Sequence, residues 1–196
     1  MNNCTYLLLP DLPPPPAWLI NQVDLTLDPA TNNTGYLNPT PLSNWRGYAG
    51  PAAVDVRIKF NDAYVKWVQD NITQEFSDVS LNYVTGTGPS FATVPHRDVT
   101  RDFVIGWNIN TGGDNTRLNF WQETGYSLIR DPKSACGDLS KLTLIDSVTG
   151  PKDCWYLLNA QILHNTDYLE HKRINLQISF KNNNNFINEI IKSANK

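Results

Sequence analysis

Between residues 80 and 181 the chain is built from short runs of Val, Ile, Leu, Phe, Tyr and Trp. Turn residues such as Gly86-Thr87-Gly88 and Gly112-Gly113-Asp114-Asn115 separate them. Runs of this length and composition, bounded by Gly, Asn and Asp, predict β-strands. They fall at 80–85, 93–97, 103–110, 116–122, 126–129, 142–147, 154–159, 162–164 and 173–180. Eight or nine such strands fit a double-sheet jelly roll, whose narrow interior can hold a small ligand.

Upstream the period changes. Val65, Val68 and Ile72 fall on one helical face, with Tyr64 and Phe76 near it, inside a mainly helical stretch at 54–77. Asn61 or Asp62 can cap its start. Alternation at Val54, Val56, Ile58 and Phe60 predicts a short strand before it. A helix of this kind packs on the outside of a sheet.

Residues 1–53 are rich in Pro, Asn and Thr and include Pro13-Pro14-Pro15-Pro16, which favours an extended polyproline path. Trp18, Leu19, Ile20, Tyr36, Leu37, Trp45 and Tyr48 are too many large apolar groups for a free tail, so an arm draped over the core is expected. From Asn182 the chain turns polar, with one or two amphipathic turns at 186–192. The reading is a single domain over 1–196, mainly β with flanking helices. An arm and supporting helix occupy 1–79, the β core 80–181 and a polar tail 182–196.

Composition adds limits. A chain of 196 residues can bury a substantial core as one domain. The net charge of −3 argues against a surface that tracks phosphates, so no nucleic-acid partner is expected. Residues 1–95 hold 4 Lys/Arg against 8 Asp/Glu, and 96–196 hold 12 against 11, which suits an anionic ligand in the second half. Cys4, Cys136 and Cys154 are too few and scattered for a disulfide framework. The start lacks a basic segment, its apolar run of Tyr6, Leu7, Leu8 and Leu9 is cut by Pro10, and no stretch approaches the roughly 20 apolar residues of a membrane span. A cytoplasmic protein is expected.

The candidate chemistry is a His-x-Asp pair, His96 and Asp98, with His164 and Arg173 following later. Residues i and i+2 of a strand share a face, so His96 and Asp98 can each give one ligand to the same ion. His164, 66 residues after Asp98, can return as the third ligand on a strand that is near only in space. Two imidazoles and one carboxylate are the minimal set for a non-haem Fe(II) with open positions. Arg173 offers a rigid fork for a carboxylate. A His-x-Asp by itself is equally the end of a surface strand with local hydrogen bonds. His171 is the rival third ligand, but it would put Arg173 beside the metal on the same strand face. Asn108, Asn119 and Trp121 lie on strands that can line the pocket, or serve edge bonding and packing. The 111–115 segment reads as a hairpin turn, since no helix follows to make a phosphate cradle. Cys136 has no context that stabilises a thiolate, and a Ser/His/Asp triad has little support.

In this order the residues resemble the Fe(II)/2-oxoglutarate-dependent oxygenases with a double-stranded β-helix core. Val94-Pro95-His96-Arg97-Asp98 is similar to the first element of that pattern, and His164-Asn165-Thr166 to the distal histidine. Arg173-Ile174-Asn175-Leu176 is similar to the closing strand with its co-substrate arginine. Tyr83-Val84-Thr85-Gly86 is similar to the Tyr-x-x-Gly segment of prolyl-hydroxylase-like members. The resemblance spans residues 80–181. It implies Fe(II) held by His96, Asp98 and His164, with 2-oxoglutarate as co-substrate and O₂ as oxidant. Arg173 and Tyr83 would grip the far carboxylate, and a C–H bond of a peptidyl or small-molecule substrate would be hydroxylated. Two departures stand out: Asn175 sits where Arg-x-Ser members have a serine, and the bulky Arg97 separates the two ligands. The alternatives are a cupin-like metalloenzyme that does not use 2-oxoglutarate, and a non-catalytic jelly-roll binding or structural module.

Overall fold

The computed structural model describes residues 5–22, 38–40, 54–59, 62–85, 95–98, 100–124 and 139–194. The expected strand at 126–129, Cys4, Cys136 and the apolar residues Tyr36, Leu37, Trp45 and Tyr48 lie outside them. The elements in chain order are β1 (Tyr6–Leu9), α1 (Ala17–Gln22), β2 (Asn38–Thr40), β3 (Val54–Lys59), α2 (Asp62–Asn71), β4 (Asp78–Thr85), β5 (Phe103–Thr111), β6 (Arg117–Glu123), β7 (Leu142–Thr149), β8 (Trp155–Asn159), β9 (Leu163–Asp167), β10 (Arg173–Phe180) and α3 (Asn185–Ala194). A seven-stranded sheet runs β1-β8-β5-β10-β4-β3-β2, and a three-stranded sheet runs β7-β6-β9. Every pairing is antiparallel. The chain is mainly β with flanking helices around a double-stranded β-helix, or jelly-roll, core.

Strand β10 shows why the large sheet has two unlike faces. It alternates without exception, Arg-Ile-Asn-Leu-Gln-Ile-Ser-Phe. Ile174, Leu176, Ile178 and Phe180 share one face with Val79 and Leu81 of β4, Ile105 and Trp107 of β5, and Trp155 and Leu157 of β8. Leu19 of α1, Tyr64 and Val68 of α2 and Ile187 of α3 complete this cluster, so it is the face the helices cover. Each fully buried Ile, Leu or Phe contributes about 1.5–3 kcal/mol of transfer free energy. On the other face Val104, Tyr156 and Leu158 pack against Leu118 and Phe120 of β6. That second cluster joins the two sheets. Asn175, Gln177 and Ser179, all buried, put polar groups on the same inner face.

The helices follow local rules. Asp62 stands in the first turn of α2 and favours the positive end of its dipole. Tyr64 and Val68, four residues apart, are buried against the sheet. The Pro-rich arm is tied down, because Trp155 Nε1 donates to Pro13 O at 2.7 Å and Leu19 packs into the core cluster. The chain end holds more structure than the one or two turns expected. Asn184 Oδ1 accepts from Ile187 N at 3.1 Å and caps α3, while Asn184 Nδ2 bonds Glu75 O at 2.8 Å. The asparagine run therefore starts a helix whose Ile187 enters the core. Among the described residues no helix is long and apolar enough to cross a membrane.

Gly106 lies opposite Tyr156 across the β5–β8 pair, and a Cβ at this position would overlap the Tyr156 ring. Gly106→Ala should therefore force the ring or the strand aside and cost about 1–3 kcal/mol, read as a lower urea midpoint. An unchanged midpoint would show that the ring is free to move.

Candidate metal centre

The candidate ligands are brought together by backbone pairing as much as by strand alternation. Of the strand expected at 93–97, residues 93 and 94 lie outside the described residues, and His96 forms an isolated antiparallel bridge with His164. The two residues exchange both backbone bonds, His96 N to His164 O at 3.0 Å and His164 N to His96 O at 2.9 Å. The rings lie 4.7 Å apart between centroids. Asp98 is anchored separately, its N donating to Ala160 O at 3.0 Å. Gln161 Nε2 donates to the carbonyls of Asp98 and Arg101, each at 2.9 Å, and so fixes the turn after the carboxylate.

The result is a compact set. One ligand atom from each of His96, Asp98 and His164 lies within 4.8 Å of the others, and this set can hold a metal ion. Asp98 Oδ1 sits 3.7 Å from His96 Nε2. Asp98 and His164 are buried and His96 is half-buried. His164 Nδ1 lies 2.9 Å from Ile162 O. A carbonyl only accepts, so Nδ1 carries the proton and the Nε2 lone pair is left for a metal. Burial, then the neighbouring His96 ring, pushes His164 down to about 3, against the opposing Ile162 carbonyl; Arg173 lowers it further. His164 is therefore a neutral imidazole near pH 7, the form a metal needs.

The shift has a sign. With a folded value near 3 and an ordinary value of 6.5, the unfolded state binds more protons between those limits. The metal-free protein should lose stability as pH falls from 6.5 towards 3, and His164→Gln should flatten that slope. Urea midpoints at pH 7.5 and 5 for both proteins measure it. Parallel slopes would contradict the assignment.

The second oxygen of Asp98 accepts from Arg101 Nε, and Arg101 Nη1 donates to Gln177 Oε1. From Gln177 the hydrogen bonds continue along β10. Gln177 Nε2 bonds Asn175 Oδ1 at 3.3 Å, and Asn175 Nδ2 bonds the Tyr156 hydroxyl at 2.8 Å. Arg173 Nη2 reaches the same hydroxyl at 3.3 Å. A polar chain thus runs across the inner face from Asp98 to Arg173. Arg173 is half-buried, and among the described residues no carboxylate pairs with it.

The other candidates fall into place around this chain. Tyr83 is in β4 opposite Ile174, while Arg173 is opposite Val84; the Tyr83 side chain lies outside the described residues. His171 is exposed in the turn before β10, where its N donates to Gly112 O at 2.8 Å, so it is not among the clustered ligands. Asn108 is opposite Asn175 on the inner face; its Nδ2 donates to Pro151 O at 3.0 Å and its buried Oδ1 has no hydrogen-bond partner among the described residues. Asn119 and Trp121 do not face the ligands. In register Phe120 opposes His164, whereas Asn119 opposes Asn165 and Trp121 opposes Leu163, and successive residues alternate faces. Trp121 Nε1 bonds Asn165 Oδ1 at 2.6 Å on that far face. Arg97 pairs with Glu123 at 3.2 Å and lines, with Trp121 and Leu163, a groove of about 610 Å³.

Sequence reasoning missed Arg101, Gln177 and Tyr156. The alternation of β10 was a usable signal for Gln177, because Asn175 and Gln177 share the parity of Arg173. Nothing local marks Tyr156, which meets Arg173 only through sheet pairing.

No protein-family model matches the chain, and no curated protein matches it in sequence. Among solved structures it is similar to a Pseudomonas putida prolyl-4-hydroxylase, with 13% identity over 91% of this chain and 93% of that one and a TM-score of 0.44. It is also similar to E. coli ycfD, with 12% identity over 66% of this chain and 34% of that one and a TM-score of 0.40.

Proposed function

We propose that the protein is a non-haem Fe(II)- and 2-oxoglutarate-dependent dioxygenase that hydroxylates a C–H bond of a peptidyl or small-molecule substrate. The observation that carries this reading is Arg173, a half-buried guanidinium with no carboxylate partner among the described residues. A desolvated cation without a counterion is costly unless a ligand supplies the anion. Arg173 is joined through Tyr156, Asn175, Gln177 and Arg101 to a carboxylate of the metal-ligand set. An anion that also reaches the metal fits that arrangement.

The donor set suits Fe(II). Two imidazole nitrogens and one carboxylate oxygen would leave further positions open for exogenous ligands. Bound there with 2-oxoglutarate and O₂, the iron supplies the oxidising chemistry that hydroxylates the substrate, with release of succinate and CO₂. The residues do the rest. His96, Asp98 and His164 hold the ion; the Ile162 carbonyl keeps the His164 ring turned with Nε2 inward. The Arg173 fork and the Tyr156 hydroxyl receive the far carboxylate, the role the resemblance assigned to Arg173 and Tyr83. Val104, Leu118, Phe120 and Leu158 pack with the Tyr156 ring in an apolar cluster on the inner face.

The test is succinate released from 2-oxoglutarate in air with added Fe(II), without any further substrate. Slow turnover that stops when iron is chelated supports the proposal. No succinate from protein that binds both iron and 2-oxoglutarate counts against it.

A further inference from the structure

We infer that Arg101 is a positioning residue that restricts Asp98 to one-oxygen ligation, an inference that rests on the metal-centre reading above. Asp98 is buried and Arg101 largely so, with 3% and 11% of their side chains exposed. The arginine divides its donors. Nε engages Asp98 Oδ2 and Nη1 engages Gln177 Oε1 on the neighbouring strand. Gln161 fixes the backbone under both residues. The other oxygen, Oδ1, lies 3.7 Å from His96 Nε2.

The chemical consequence concerns vacancies. A carboxylate released from the clamp can rotate and present both oxygens to a metal, occupying a position that an exogenous ligand needs. With Oδ2 engaged, the protein gives three donor atoms and three positions stay open. The planar fork is essential here. A lysine in its place keeps the charge, but its single ammonium is a point donor without the fixed geometry that spans Asp98 and Gln177.

The experiment compares full-length wild type, Arg101→Lys and Gln177→Leu, first with Mn(II) by calorimetry and then with Co(II) by visible absorption. Arg101→Lys should weaken Mn(II) roughly 10–100-fold, the range for loss of an outer partner of a metal ligand. Gln177→Leu should shift it less, in the same direction. Both variants should show an altered Co(II) ligand-field spectrum, which reports coordination number and geometry. Superimposable Co(II) spectra overturn the inference even if the metal-free variants melt earlier, since that pattern belongs to a purely structural ion pair. Should Arg101→Lys fail to fold, Gln177→Leu decides alone. If the wild type binds no metal, the metal-centre reading falls and the clamp with it; equal binding with equal spectra removes only the clamp.

Discussion

Asp98→Ala is expected to lose its divalent metal and its fold stability together, whereas His96→Ala loses the metal alone. The difference comes from what each side chain leaves behind. Asp98 is 5% exposed and its carboxylate neutralises the buried Arg101 guanidinium. Removing it strands a buried cation, which costs about 3–5 kcal/mol. His96 is half-buried, and its bridge to His164 is made by backbone atoms that alanine keeps. Its replacement should leave the urea midpoint nearly unchanged. Either variant should reduce metal affinity by more than the roughly 10–100-fold typical of outer-sphere losses, because a ligand itself is gone. Calorimetric titration with Mn(II) and urea unfolding of the metal-free proteins give both readouts. Equal stability of the two variants would show that the Asp98–Arg101 pair contributes nothing.

Arg173→Leu should produce the reverse profile: metal binding kept, 2-oxoglutarate binding lost. Truncating one partner of a buried charge pair costs about 2–5 kcal/mol. At 1.4 kcal/mol per tenfold, that is at least about thirtyfold in affinity. The metal-free fold should not suffer. Among the described residues no carboxylate pairs with Arg173, and the hydrogen bond from its side chain to the Tyr156 hydroxyl is long at 3.3 Å. An apolar side chain there removes the cost of desolvating a guanidinium. Titration of 2-oxoglutarate into Mn(II)-loaded protein checks it. Wild-type affinity in Arg173→Leu would place the anion elsewhere.

Much of this was legible in the sequence because it is local. The apolar runs of β5, β6, β8 and β10 and the helical spacing of Tyr64 and Val68 are set by period and propensity. The order of His96, Asp98, His164 and Arg173 gave the candidate site. What stayed hidden depends on partners distant in the chain. Tyr6 to Leu9 looked like an apolar run interrupted by Pro10, yet it forms β1 because β8 offers it an edge to pair with. The asparagines before α3 looked like a polar tail, yet Asn184 finds both the Ile187 amide and the Glu75 carbonyl. Asn119 and Trp121 were open candidates until register put them on the face away from His164. Nothing in the sequence singles out Arg101, because its partner Gln177 lies 76 residues later.

The most direct measurement is anaerobic titration of Fe(II) and 2-oxoglutarate into the metal-free protein, followed in the visible spectrum. A metal-to-ligand charge-transfer band that needs both components and weakens in Arg173→Leu at moderate 2-oxoglutarate is expected. Iron bound without that band at any 2-oxoglutarate concentration would contradict it.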